Sequence, residues 1–165
     1  MAENTLRIKP VSNSDRPALG RVLADRWGAA TVVAHGTVFR PAELPGLLAV
    51  RDGRLAGLLT YDMAGDTLEI VTIDAMTPNG GVGSALLTAV ADEARRRQLR
   101  RLVLTTTNDN LDALRFYQRR DFRLLAVRPG AVHEARRLKP QIPDTGRYDI
   151  PIRDEIDLVR DLPTG

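Results

Sequence analysis

Two stretches of the sequence concentrate residues whose types and spacing suit chemistry. The first is Thr77–Leu87, TPNGGVGSALL, which leaves an apolar run and opens an amphipathic helical pattern. Glycines let the main chain come close to a ligand, and the first turn of a helix carries N–H groups with no partner inside the helix. No Asp or Glu occurs from Ala75 to Ala91, whereas Arg95, Arg96 and Arg97 stand at the opposite end. The helix field therefore favours an anion at the glycine end. A mononucleotide loop would need GKS/T, which is missing, and a dinucleotide loop would need a third glycine where Leu86 stands. A tight strand-to-helix turn with no ligand is the competing reading of these glycines.

The second stretch, 105–122, reads TTTNDNLDALRFYQRRDF. Asn110 suits the cap of a helix, Ala113 leaves room for a ligand to pass close, and Tyr117 lies two turns on along much the same side. Taken alone, Tyr117 also fits an aromatic on the core face of an amphipathic helix.

The elements that must position these residues are legible from period and punctuation. Thr5–Lys9 alternates as a strand; Ser14-Asp15-Arg16-Pro17 starts a helix that Gly28 ends. Between them and Leu47, Val32-Val33 suits a strand and Pro41–Leu44 a helical turn. Three strands follow, LLAV, LAGLLTYDM and TLEIVTIDA, joined by the turns Asp52-Gly53 and Ala64-Gly65-Asp66. Alternation along the third places Glu69, Val71 and Ile73 on one face and Ile70, Thr72 and Asp74 on the other. A helix from about Gly83 to Gln98, a strand at 102–106, a helix at 110–120 and a strand at 122–127 complete the regular part. The proline-interrupted tail, 129–165, carries a short helix at 132–138 and a last strand at 155–159, and no linker divides it off. The pattern predicts an α/β fold with a mixed central sheet and helices packed on both faces, in one domain spanning 1–165.

Composition narrows the chemistry. Cysteine is absent, which excludes disulfides, thiolate nucleophiles and zinc–thiolate or iron–sulfur sites. The only histidines, His35 and His133, have no metal-ligand spacing, so no metal site is expected. No apolar run approaches the roughly 20 residues of a membrane helix. The start MAENTLRIKP lacks the layout of a signal peptide, and the expectation is a cytoplasmic protein. Basic residues number 24 against 21 acidic, all but Lys9 and Lys139 being arginine. The arginines at 95–101 have no aromatics interleaved, so a solvated helix end is expected there rather than a nucleic-acid surface.

The glycine loop and the Asn110–Tyr117 segment together resemble the GNAT superfamily of N-acetyltransferases. Pro78-Asn79-Gly80-Gly81-Val82-Gly83 aligns with its acetyl-CoA motif Q/R-x-x-G-x-G/A, with Pro78 in place of the first side chain. Asn110, Ala113 and Tyr117 fall on N-x-x-A-x-x-x-Y, and Asp121-Phe122 stands where Gly-Phe is usual. The TTNDNLDALRFYQRR segment with an ARRLKPxIPxTG tail resembles a bacterial subgroup of small GNAT proteins, and the resemblance covers about residues 5–128. It implies a GNAT-like fold and acyl transfer from acetyl-CoA to a primary amine, on a small molecule or a protein.

The resemblance also implies roles. The main chain of Gly81, Val82, Gly83 and Ser84 would hold the pyrophosphate of acetyl-CoA, and Asn110 would contact the cofactor. The N–H of Ile73 would meet the thioester oxygen where its strand splays from its neighbour, and Tyr117 would protonate the leaving thiolate. For the base, Glu69 is the first choice and Glu43 and Asp74 lesser ones. Trp27 suits a helix-end aromatic or a lining of the acceptor pocket, and the tail is expected to fold back near that pocket. A homodimer would be common for the family. Pro78 and Asp121 motivate an alternative, an acyl-CoA-binding regulatory domain with weak or no catalysis.

Overall fold

The computed structural model describes residues 4–163; Met1–Glu3, on which part of the N-terminal reading rests, lie outside them. The strands are β1 (Leu6–Pro10), β2 (Val32–Ala34), β3 (Thr37–Phe39), β4 (Gly46–Arg51), β5 (Arg54–Ala64), β6 (Thr67–Ala75), β7 (Arg101–Thr107), β8 (Arg123–Arg128) and β9 (Glu155–Asp161). The helices are α1 (Arg16–Trp27), α2 (Val82–Arg96), α3 (Leu111–Gln118) and α4 (Ala131–Leu138). Seven strands form one mixed sheet in the order β1-β4-β5-β6-β7-β9-β8, and β2 and β3 form a separate hairpin.

Local sequence explains most boundaries. The hairpin between β4 and β5 turns on Asp52 and Gly53, both at positive φ (51° and 73°), the combination a tight two-residue turn requires. Helix α1 follows a 3-10 turn in which the Ser12 N–H and hydroxyl both donate to the Asp15 carboxylate, at 2.9 and 2.8 Å. Gly28 ends α1 in the left-handed conformation.

The core lies in two layers. On one face α1 packs Leu19 and Leu23 against Leu48 and Leu58. On the other, α2 buries Leu86, Leu87, Val90, Ala91 and Ala94 over Leu59, Leu68, Ile70, Leu102 and Leu158, joined by Tyr117 and Phe122 at α3. Each fully buried Leu of this kind contributes about 1.5–3 kcal/mol. Strand β9, from the tail, enters between β7 and β8, pairing Val103 with Val159 on one side and Arg123 with Val159 on the other. Edge strand β8 keeps Leu124, Leu125 and Val127 more than half exposed.

Two irregularities of β6 matter for the site. It pairs with β7 in parallel only from Thr67↔Arg101 to Ile70↔Leu104, then stays with β5 while β7 stays with β9. The register against β5 runs Thr60↔Thr72 and then Tyr61↔Ile70, which leaves Val71 as an extra, bulged residue. Unbroken alternation is therefore corrected. Ile70 and Ile73 both pack toward α2. Glu69, opposite Asp62, lies on the same face as Thr72 and Asp74, because the bulge shifts the phase by one residue.

Candidate functional site

Where β6 and β7 part, two clefts meet. The first, about 890 Å³, runs from Ile73, Asp74 and Ala75 over Thr77–Ser84 to Asp112, Ala113, Phe116 and Tyr117, with Arg115, Arg119 and Arg120 on its rim. The second, about 550 Å³, is lined by Ile70, Val71, Ile73 and Asp74 of β6, Leu104 and Thr106 of β7, Asn110, Tyr117, Asp25–Trp27 of α1, and Arg147 of the tail. Ile73, Asp74 and Tyr117 belong to both.

The first cleft is built for a polyanion. Gly81 caps α2 at φ 76°, in the left-handed region that glycine adopts without strain. No side chain bonds to this helix end and no acid stands in its first turn, so the first N–H groups of α2 are available. Gly83 permits close packing, since a Cβ there would sit 3.0 Å from the Phe116 ring. That ring is covered by the Arg120 guanidinium at 3.8 Å, and Arg120 Nε donates to Ser84 Oγ at 3.0 Å. Arg51 of β4 donates from Nη2 to the Gly80 carbonyl at 3.2 Å, while its buried Nε has no partner among the described residues. These donors fit the phosphates of a CoA ester, and Arg51 and Arg120 bring side-chain cations to a loop whose first motif position is Pro78.

Ile73 supplies a main-chain donor at the junction. Met76 N–H bonds to the Ala56 carbonyl at 2.8 Å. Antiparallel pairing alternates from that point, so Ile73, opposite Leu59, is in a non-hydrogen-bonded pair. Its N–H is directed away from β5, into the gap toward β7.

Tyr117 is 6% exposed, packed edge-on against Phe116 and Phe122 at 5.3 and 5.4 Å between ring centres. Its hydroxyl makes no hydrogen bond to the described residues. Burial pushes the phenol above the ordinary tyrosine value, so it carries its proton well beyond neutral pH.

The other expected residues are placed differently. Asn110 caps α3, accepting from Ala113 N–H at 3.4 Å, and its amide donates to Thr106 Oγ1 at 3.1 Å. Its Oδ1 also accepts from Arg147. Asn110 lines the second cleft and not the first, so its side chain is spent on chain contacts. Glu69 lines neither cleft; its Oε1 is hydrogen-bonded to His35 Nε2 at 2.6 Å. His35, at φ 42°, is fixed through its own N–H to the buried Glu155 carboxylate at 3.0 Å. Asp74 reaches both clefts but is held by Arg26 in a two-pronged ion pair at 2.5 and 2.9 Å. Trp27 lines the second cleft.

Sequence reasoning missed Arg119, Arg120 and Arg147 at these clefts. For the first two the signal was the cationic pair two residues beyond Tyr117; for Arg147 there was none, since the contact to Asn110 spans 37 positions. Among the described residues no group of His, Asp and Glu is arranged to hold a metal ion, and no helix is long and apolar enough to cross a membrane.

Comparison with known proteins gives the family and the fold. The acetyltransferase (GNAT) family profile matches residues 13–122. The uncharacterized protein YdhI of Bacillus subtilis (strain 168) is 43% identical over 150 residues, covering 90% of this chain and 94% of that protein. The fold is shared with the IAA acetyltransferase of Bacillus cereus ATCC 14579, at TM-score 0.74 and 20% identity over 96% of this chain and 100% of that one. It is shared too with a GNAT family acetyltransferase of Elizabethkingia anophelis with acetyl-CoA bound, at TM-score 0.69 and 21% identity over 97% and 99% of the chains.

Proposed function

The chain belongs to the acetyltransferase (GNAT) family, and from that premise we propose that residues 1–165 act as one domain that transfers an acetyl group from acetyl-CoA to a primary amine. One observation carries the proposal. Tyr117, with its hydroxyl free of partners among the described residues, lines both the cleft under the glycine-led end of α2 and the cleft where β6 and β7 part. A CoA ester in the first cleft brings its thioester to that junction, and an amine enters from the second. The structure of the Elizabethkingia relative, solved with acetyl-CoA, supports the choice of donor.

Each residue then has a task. Main-chain N–H groups of Gly81, Val82, Gly83 and Ser84 hold the pyrophosphate, with Arg120 beside them. The Ile73 N–H donates to the thioester oxygen as negative charge develops there. The amine lone pair attacks the carbonyl carbon; the C–N bond forms and the C–S bond breaks. Tyr117 gives its proton to the departing sulfur, a role suited to a phenol that burial keeps protonated. The proton lost by the amine passes to Glu69 through water, since Glu69 lies outside the cleft linings and is oriented by His35. Asn110 serves the site by holding the start of α3 in place.

Calorimetric titration with acetyl-CoA, with ATP and NAD as controls, followed by thiol-release assays over a broad amine panel, tests the proposal. Saturable one-site binding of acetyl-CoA with transfer to an amine is the expected result. Tight binding with no transfer to any amine would replace the enzyme with an acyl-CoA-binding regulatory domain.

A further inference from the structure

The second cleft holds four charged side chains, and they are not equivalent. Arg26 and Asp74 neutralise one another through two hydrogen bonds. The Arg147 guanidinium has the neutral Asn110 carbonyl as its side-chain partner and forms no ion pair among the described residues. Asp25, exposed on the α1 rim, likewise has no basic partner within that distance among the described residues. The cleft that admits the acceptor thus presents one unpaired charge of each sign.

Arg147 is also held there by construction. Its own N–H donates to Asp109 Oδ2 at 3.0 Å, and Asp109 is 5% exposed and takes a second bond from Thr107. Gly146 lies so close to Asp109 that a Cβ would come within 2.1 Å of Oδ2. Tyr148 and Asp149 both sit at φ 57°, and Tyr148 is tied by its hydroxyl to Asp112 at 2.6 Å. Two consecutive non-glycine residues in the left-handed region are costly unless the surroundings fix them, and such strain gathers at ligand clamps. Here the fixed object is a guanidinium aimed into a cleft that already contains Ile73 and Tyr117.

We propose that Arg147 anchors a carboxylate on the acceptor, and that the substrates are amines of amino-acid type, with the carboxylate at Arg147 and the amino group at the β6–β7 gap. A guanidinium matches a carboxylate with two parallel N–H donors, which fixes orientation as well as charge. The ammonium form of such an acceptor meets Asp25 at the exposed rim, gives one proton to bulk water there and enters as the free amine. The inference rests on the acetyltransferase reading and narrows its acceptor.

The test uses the full chain saturated with CoA. N-acetylglycine, N-acetylleucine and N-acetylphenylalanine are each titrated calorimetrically against their C-terminal amides, in wild type, Arg147→Gln and Arg147→Lys. At least one acid is expected to bind tenfold or more tighter than its amide; Arg147→Gln brings that ratio within threefold, and Arg147→Lys restores part of it. Equal binding of acids and amides, no binding by any acid, or a ratio untouched by Arg147→Gln overturns the proposal. Turnover of an amine panel with acetyl-CoA is measured in parallel. Transfer to plain amines with no preference for a carboxylate overturns the acceptor class and leaves the acetyltransferase. Carboxylate-dependent binding without any transfer keeps the anchor and removes the catalysis.

Discussion

Replacing Tyr117 by Phe separates the two things this side chain does. Its ring is buried against Phe116 and Phe122 at 5.3 and 5.4 Å, contacts that Phe retains. Its hydroxyl bonds to no described residue, so no partner is left unsatisfied, and the stability change should stay under about 1 kcal/mol. For a protein of this size that is a Tm shift of less than about 4 °C. Losing a general acid costs about 10²–10⁴ in rate, or roughly 2.7–5.4 kcal/mol of barrier at 1.36 kcal/mol per decade. The Tyr117→Phe variant should therefore lose at least a hundredfold in kcat while the KM for acetyl-CoA changes little. The pH profile has a definite sign. The acid works only when protonated, and burial raises its value, so wild-type kcat should not fall as pH is carried toward the ordinary tyrosine value of 10.0. Initial rates of thiol release at saturating acetyl-CoA, with thermal melts of both proteins, supply every quantity. A variant with kcat within threefold of wild type would refute the assignment of Tyr117 as the acid. A Tm lowered by ten degrees would instead show that the hydroxyl has a structural partner.

Three further outcomes follow from the same contacts. Glu69→Gln keeps a hydrogen-bonding partner for His35 but cannot take a proton, so kcat should fall about 10²–10⁴-fold, with acetyl-CoA binding intact by calorimetry; an unchanged kcat would exclude Glu69 as the base. Gly146→Ala forces Asp109 away from Thr107 and the Arg147 N–H, at a cost of about 2–3 kcal/mol measured by urea unfolding, and an unaltered midpoint would show that the tail gives way instead. At Asp157, burial works to raise the carboxyl, but hydrogen bonds from Arg128 and Thr105 and the Arg128 charge hold it below its ordinary value. Its contribution to stability is therefore present above 3.8 and lost as pH falls through the lower folded value. Arg128→Gln leaves Asp157 and the buried Glu155 without their cation, at a cost of about 2 kcal/mol at neutral pH. That deficit should narrow as pH drops below 3.8, where protonation relieves the unpaired Asp157 carboxyl; a deficit independent of pH would count against this account.

Much of this molecule follows from interactions between near neighbours in the chain. The Asp52-Gly53 turn, Gly28 at the end of α1, the Asn110 cap and the apolar face of α2 each depend on residues within a few positions of one another. The glycine loop belongs with them: an acid-free helix start with Gly81 in the left-handed conformation is a local property, and its field favours an anion before any tertiary contact is known. The acceptor side is the opposite case. The bulge at Val71 depends on pairing with β5, and it alone moves Glu69 to the face shared with Asp74 rather than with Ile73. His35 meets Glu69 across 34 positions, and Arg147 meets Asn110 across 37. Strand β9 enters between β7 and β8, a sheet order that periodicity along one strand does not encode. The sequence by itself determined the elements and the glycine-led start of α2, because those rest on backbone geometry and hydrogen bonds within one or two turns. Only the tertiary structure decided which side chains line the second cleft, because that depends on where a strand pair parts and on where the tail returns.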